Sequence, residues 1–166
     1  MRNIRSIAIA IVLATASLNA LAEFNVGVSY VRADFGFVEL DTVQVNAGYG
    51  FNVAPGFVLI PEVRAGTSAG SDRVSFVDVK MKDTFGGGLR AEYNFPSGFM
   101  VFGGPSYSRY NIEVRSPQLG KDSSSSWEWG IGAGVGYNFV KSFGVEVFYE
   151  NVDSEDFYGA GLRFRF

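Results

Sequence analysis

Nine ionisable residues occupy positions that an alternating strand would turn to one side: Glu62, Arg64, Arg90, Glu92, Glu128, Glu146, Glu150, Arg163 and Arg165. Carboxylates and guanidiniums at this spacing support two kinds of chemistry. Paired and hydrogen-bonded, they make a structural network, the form in which ionised groups persist in a confined space. Hydrated, they line a narrow path for ions. Glu62 and Arg64 face Arg90 and Glu92 on the next run, and Glu146 and Glu150 face Arg163 and Arg165, so opposite signs are expected to meet across neighbouring strands, with Glu128 joining them. Catalysis asks for more. The chain has no histidine and no cysteine, so a serine nucleophile lacks its usual activating base, and metal centres built on His or Cys are excluded by composition. The expectation is a non-enzymatic protein without a cofactor.

The elements that must position these charges are strands. From Val43 the odd positions read Val43, Val45, Ala47, Tyr49 and Phe51, and the even ones Gln44, Asn46, Gly48, Gly50 and Asn52. The same separation runs through residues 84–95, 127–139 and 158–166, and no segment keeps a helical period. Runs from Phe57, Phe99 and Phe143 follow the short connections Ala54-Pro55-Gly56, Pro96-Ser97-Gly98 and Val140-Lys141-Ser142, which join antiparallel neighbours. With Phe24 to Ala33 the count is eight. The opposite connections, about Asp34 to Asp41, Ser68 to Asp83, Asn111 to Ser126 and Val152 to Asp156, are mostly longer and more polar. An even strand number with short turns at one end and longer loops at the other describes an all-β, eight-stranded, antiparallel up-and-down transmembrane β-barrel. The fifth run, Phe99 to Ile112, mixes apolar and small residues on both faces, and its inward side is left open.

Four triplets close these runs: Tyr49-Gly50-Phe51, Tyr93-Asn94-Phe95, Tyr137-Asn138-Phe139 and Phe164-Arg165-Phe166. Residues two apart share a face, so each triplet sets two rings on one side at one end, as in an aromatic girdle. The polar face is rich in glycine, including Gly48, Gly86, Gly88, Gly159, Gly161 and the series Gly130 to Gly136. An eight-stranded interior holds little beyond small residues and a few interlocking chains, so the glycine face belongs inside and the bulky apolar face outside, toward lipid.

Residues 1–22 read as a cleaved signal peptide, with Arg2 and Arg5 before an apolar core and Ala20-Leu21-Ala22 at the cleavage site. The barrel domain is then 23–166, with twelve basic residues against seventeen acidic ones and a net charge of −5, which argues against nucleic acid as a partner. Export through a leader places the protein in the cell outer membrane with both termini periplasmic.

The run Gly130 to Phe139, the segment Val145 to Glu150 and the closing Gly159 to Phe166 resemble the OmpA/OmpX-like class of small outer-membrane barrels, without the peptidoglycan-binding domain that some members carry. The resemblance implies a monomeric structural barrel or a surface-interaction, adhesin-like module acting through extracellular loops, with a narrow ion or solute pore as the alternative. It also implies that Leu162, Phe164 and Phe166 form the signal read by the barrel assembly machinery. In the loops, Arg73, Lys80, Lys82, Arg115 and Lys121 are candidate contacts for lipopolysaccharide phosphates or a solvated rim, and a host or surface ligand is a further candidate partner. The acidic residues Asp34, Glu39, Asp41, Asp153, Glu155 and Asp156 could gather as oxygen ligands for a divalent cation, but read first as solvated loops. Val74, Phe76, Val77, Val79 and Met81 suggest a protruding hairpin with an exposed sheet edge, and Lys121 to Ser126 reads as a mobile loop tip.

Overall fold

Alternation along each run becomes a closed cylinder. The computed structural model describes residues 22–36, 38–70, 72–74, 77–116 and 120–166; the leader expected over 1–22 lies, but for Ala22, outside them, as does Phe76. The strands are β1 (Ala22–Asp34), β2 (Glu39–Ala54), β3 (Phe57–Ser68), β4 (Asp72–Val74), β5 (Val77–Asn94), β6 (Phe99–Ser116), β7 (Gly120–Val140), β8 (Phe143–Val152) and β9 (Glu155–Arg165). All pairings are antiparallel. β3 and the short β4 both pair with β5, one above the other, so the nine segments make eight staves. β1 pairs with β2 on one side and β9 on the other. Closure reaches the last residue: Phe24 N–H donates to Phe166 C=O at 3.1 Å and Phe166 N–H to Phe24 C=O at 2.9 Å.

The short connections share the end that carries the termini. Pro55 and Gly56 form the turn after β2, with Gly56 at φ 74°, and Gly98 closes the turn after β5 at φ 88°; glycine enters this region without steric cost. At the other end β8 and β9 are joined through Asp153 and Ser154, both at positive φ (48° and 76°), the backbone of a type I′ hairpin.

Large apolar side chains cover the outside. The ring pairs Tyr49/Phe51, Tyr93/Phe95 and Tyr137/Phe139 stand edge to face at 5.3, 4.8 and 5.3 Å, and Phe143 meets Phe164 at 5.2 Å; these girdle the terminal end. A second set, Tyr30, Tyr107, Trp127, Trp129, Tyr149 and Tyr158, is exposed toward the loop end. From Tyr137 up to Trp127 is roughly ten residues, which at about 3.3 Å each and a tilt near 40° gives a belt about 25 Å tall, the height of a membrane-spanning barrel's apolar band.

β6 resolves the open assignment. Its even positions, Met100, Phe102, Gly104, Ser106, Ser108 and Tyr110, face inward, while Phe99, Val101 and Tyr107 are exposed. The loops differ from expectation as well. β6 and β7 stay paired up to Ser116 opposite Gly120, so Lys121 to Ser126 is strand rather than loop tip; Ser123, Ser124, Ser125 and Ser126 sit opposite Glu113, Ile112, Asn111 and Tyr110, and that alternating partner provides a ladder for a tract of low strand propensity. A bulge at Lys82 shifts the parity of β5, which turns Met81 inward to complete burial instead of leaving it on a protruding hairpin.

Glycine at Gly134 is required by close approach: a Cβ there would meet the Phe102 ring and lie 2.5 Å from the Val147 carbonyl oxygen. Ser154 presents the opposite case, an L-residue where glycine is favoured. Ser154→Gly should stabilise the refolded barrel by about 1 kcal/mol, read as a higher urea midpoint at unchanged slope, with Gly134→Val failing to reach the folded form in the same assay.

Candidate functional site

Eight of the nine predicted charges meet in the lumen, but their partners lie mainly across it. Arg64 on β3 grips Glu150 on β8 with two bonds, Nη1 to Oε2 at 2.7 Å and Nη2 to Oε1 at 3.1 Å. Arg90 on β5 donates to Glu92 on its own strand (Nη2 to Oε2, 2.9 Å) and to Glu146 on β8 (2.7 Å). Glu146 also accepts from Arg163 on β9, Nε to Oε2 at 3.0 Å, the one adjacent-strand pair of the expected kind. Arg163 further reaches Glu62 at 3.5 Å, and Arg165 donates to Glu92 Oε1 at 2.5 Å. The expected pairing of β3 charges with those of β5 gives way because side chains in a narrow tube meet radially, so the far wall competes with the next stave.

Four arginines and four glutamates balance within this layer. Arg163, Glu92 and Glu146 are buried, conditions in which charge needs pairing and hydrogen bonds together. Phe102 adds a third kind of contact, its ring centroid 3.3 Å from the Arg90 guanidinium carbon. Ser106 Oγ donates to Glu150. Toward the terminal end the network continues through amides, Asn94 Nδ2 donating to Glu92 at 2.8 Å and Asn138 Nδ2 to Asn94 at 3.0 Å. A cavity of about 70 Å³ in this layer, lined by Ser29, Asn46, Glu62, Arg64, Arg90 and Glu150 among others, has room for a few water molecules.

Glu128 stays outside this layer. It shares the inward parity of β7 but makes no ion pair among the described residues, because the pairing of β7 with β8 begins only at Gly130 and Glu128 stands above that lower wall, within reach of water. An apolar cap, unforeseen from sequence, closes the lumen below it: Val31, Ala33, Val38, Leu40, Met81, Tyr110, Val152 and Phe157 form one buried cluster, with Tyr110 and Phe157 rings 5.3 Å apart. Its members come from six strands and the β1–β2 loop, and the bulge that delivers Met81 leaves no periodic signal.

The rim residues separate into groups. Arg73, Asp78, Arg115 and Lys121 lie on one row of register partners across β4 to β7; of Arg73, Arg115 and Lys121 only the backbone placement is described. Lys80 lies 3.8 Å from Glu113, and Lys82 is exposed at its bulge. The acidic loop residues do not gather: among the described residues no group of three or more carboxylates could hold a metal ion. Glu39 and Asp41 instead take Arg32, at 3.1 and 2.9 Å, and Asp156 accepts from Tyr149 Oη at 2.6 Å and Asn151 at 3.0 Å. Leu162, Phe164 and Phe166 face outward at the terminal end of β9, Phe166 most exposed at 77%.

Glu146 neutralises two buried guanidiniums. Glu146→Gln should therefore destabilise the barrel by about 3 to 5 kcal/mol in urea unfolding, and the double variant Glu146→Gln/Arg163→Gln should lose less than the two single losses added. Outside the belt, the Arg32 guanidinium hydrogen-bonds the Asp41 carboxylate and holds it below the usual carboxylate range. A depressed folded-state value stabilises above the unfolded value and is lost as pH falls through the folded one. The protection of amides at the Arg32 to Asp41 rung, relative to their intrinsic exchange rates, should accordingly fall below about pH 4, and Asp41→Asn should show the lowered protection already at neutral pH.

Comparison with known proteins agrees with this geometry. Among solved structures the chain is similar to Ail, the attachment invasion locus protein of Yersinia pestis (TM-score 0.60, 14% identity, covering 87% of this chain and 97% of that one). It is also similar to the N-terminal β-barrel domain of Pseudomonas aeruginosa OprF (0.56, 16%, 87% and 97%) and to Neisserial surface protein A (0.55, 15%, 87% and 97%). At such identities the likeness is one of fold. No curated protein matches by sequence. The family model for the outer membrane protein beta-barrel domain matches residues 8–166, and the chain belongs to that family of the outer membrane.

Proposed function

We propose that this protein is a non-enzymatic outer-membrane barrel that works by contact at the cell surface, through the wall raised at its loop end. The observation that carries the reading is the unequal height of the staves. β4, β5, β6 and β7 remain paired well above the place where β8 turns into β9, so from Lys121 to Trp129 the second edge of β7 has no strand partner among the described residues. Residues 122–127 of that edge are all exposed. A run of backbone N–H and C=O groups without a strand partner is a template for an extended partner segment, and this one, in which Asp122 Oδ1 takes the Ser123 N–H at 2.8 Å, carries neither proline nor a bulge to block it.

The lumen supports the same reading by contrast. Its charges are matched, and the apolar cap lies over them, so conduction would require both layers to open. Catalysis has no support in the lumen layer, where the carboxylates Glu62, Glu92, Glu146 and Glu150 are held by arginines. In the proposed orientation the termini and short turns face the periplasm after removal of residues 1–22, Leu162, Phe164 and Phe166 serve the assembly machinery, the barrel is a monomer, and the raised wall of β4 to β7, the blade, stands outside, with Arg73, Lys80, Lys82, Arg115 and Lys121 at the level of the polar layer of lipopolysaccharide and a host or surface ligand.

Two measurements test this. Refolded protein in a planar bilayer should show no discrete conductance steps; steps altered by Glu146→Gln/Arg163→Gln would establish a pore instead. Cells carrying Ser124→Pro/Ser126→Pro, changes that spoil the β7 ladder while leaving the belt intact, should lose adhesion to host cells, and undiminished adhesion would exclude this edge as the reader.

A further inference from the structure

The outward faces of β5, β6 and β7 combine in two rungs at the upper border of the belt. Phe85, Arg109 and Trp127 are register partners in one rung, and Gly87, Tyr107 and Trp129 in the rung nearer the termini. Tyr107 stacks on Trp127 at 5.1 Å and meets Trp129 at 4.8 Å. Trp129 is 69% exposed. The rung on the far side is polar, Asp83, Asn111 and Ser125, with Asn111 Nδ2 donating to Asp83 at 3.1 Å. Hydrocarbon-facing and water-facing surface therefore change over at Arg109.

Arg109 makes one hydrogen bond, Nη2 to Ser125 Oγ at 3.2 Å, and no ion pair among the described residues. Arg32, exposed at the same end, is held by two carboxylates. A guanidinium between Phe85 and Trp127 at the edge of a bilayer loses hydration without gaining a counter-charge from the protein. What the membrane offers at that depth is phosphate, which a guanidinium binds with two parallel bonds. Flat exposed rings beside it suit the headgroup level, and Leu89 and Ile131, both exposed below, offer a surface for acyl chains. Arg115 lies six residues farther up β6, about 20 Å along the strand, too far to serve the same depth.

We propose that Arg109, framed by Phe85, Tyr107, Trp127 and Trp129, binds the phosphorylated sugar headgroup of outer-leaflet lipopolysaccharide, taking one glucosamine phosphate on its guanidinium. The inference rests on the proposed orientation with the loop end outward, and it deepens that reading by naming the headgroup phosphate and the residue that takes it.

The chain's two tryptophans both stand in this patch, so tryptophan emission reports on it directly. Refolded protein in zwitterionic micelles is titrated with diphosphoryl lipid A. A saturable emission change is expected, weakened about tenfold or more in Arg109→Gln, intermediate in Arg109→Lys, and of wild-type affinity in Arg32→Gln. Each variant is checked for the heat-modifiable gel shift of a folded barrel. Equal affinity in Arg109→Gln would overturn the proposal, as would an equal response to dephosphorylated lipid A or to phosphatidylglycerol. The titration does not depend on which end faces outward; protease cleavage of the blade on intact cells tests that separately.

Discussion

The width of an eight-stranded cylinder governs what every strand in this protein can be. Its lumen admits about one layer of side chains, yet four arginines and four glutamates share it. Glycine on the neighbouring staves makes that arrangement fit. A Cβ at Gly132 would stand 3.1 Å from the Glu150 Cβ, and one at Gly136 would stand 3.2 Å from the Glu146 Cβ, so the bare inner faces of β7 and β9 supply the volume that the side chains of β5, β6 and β8 occupy. Charge balance follows from the same limit. With so little water inside, an unmatched ion would be expelled or neutralised, and Glu128, which of the nine charges makes no ion pair among the described residues, is placed above the lower wall.

Much of this was legible in the residues because a period of two is a local signal. Val43 to Phe51, Phe85 to Phe95 and Tyr158 to Phe166 declare their faces individually, and the ring triplets declare one end of the belt. What could not be read belongs to closure. Arg64 and Glu150 are 86 residues apart, and nothing local distinguishes that pairing from the one expected with β5. β6 hid its inward side because Phe102 and Tyr110 lie inside with glycine and serine, while Gly103 and Pro105 lie outside. Large residues on the inner face are tolerated where the neighbouring stave carries glycine, as Phe102 is by Gly134 on β7. The serine tract misled for a related reason: propensity assigned it to a loop, and cross-strand pairing with β6 overrode propensity.

Unequal stave height separates two tasks that a uniform barrel would combine. The low wall of β8, β9, β1 and β2 ends near the apolar cap, where Phe157, Val152, Val31 and Leu40 come together and Phe35 leans on Phe157 at 6.2 Å. Met81 and Tyr110, from the base of the raised wall, complete that cap, so the part of the wall above them can vary in sequence or carry a partner without opening the interior. The cost is an open edge on β7, which a protein confined to the membrane tolerates better than a freely diffusing one, because its neighbours are held at fixed height and orientation.

β6 ties the two halves of the molecule together. Its inward residues hold the register of the interior, Phe102 against Arg90 and Ser106 on Glu150, and its outward residues Tyr107 and Arg109 make the patch at the belt's upper border. In a strand a slip of one residue exchanges every side chain between faces. Such a slip in β6 would bury Arg109 where four arginines already match four glutamates, and would turn Phe102 out to lipid. The interior network thus acts at a distance on the exterior: by making the alternative register electrostatically untenable, it fixes Arg109 on the lipid side, at the one depth where its charge can meet a headgroup.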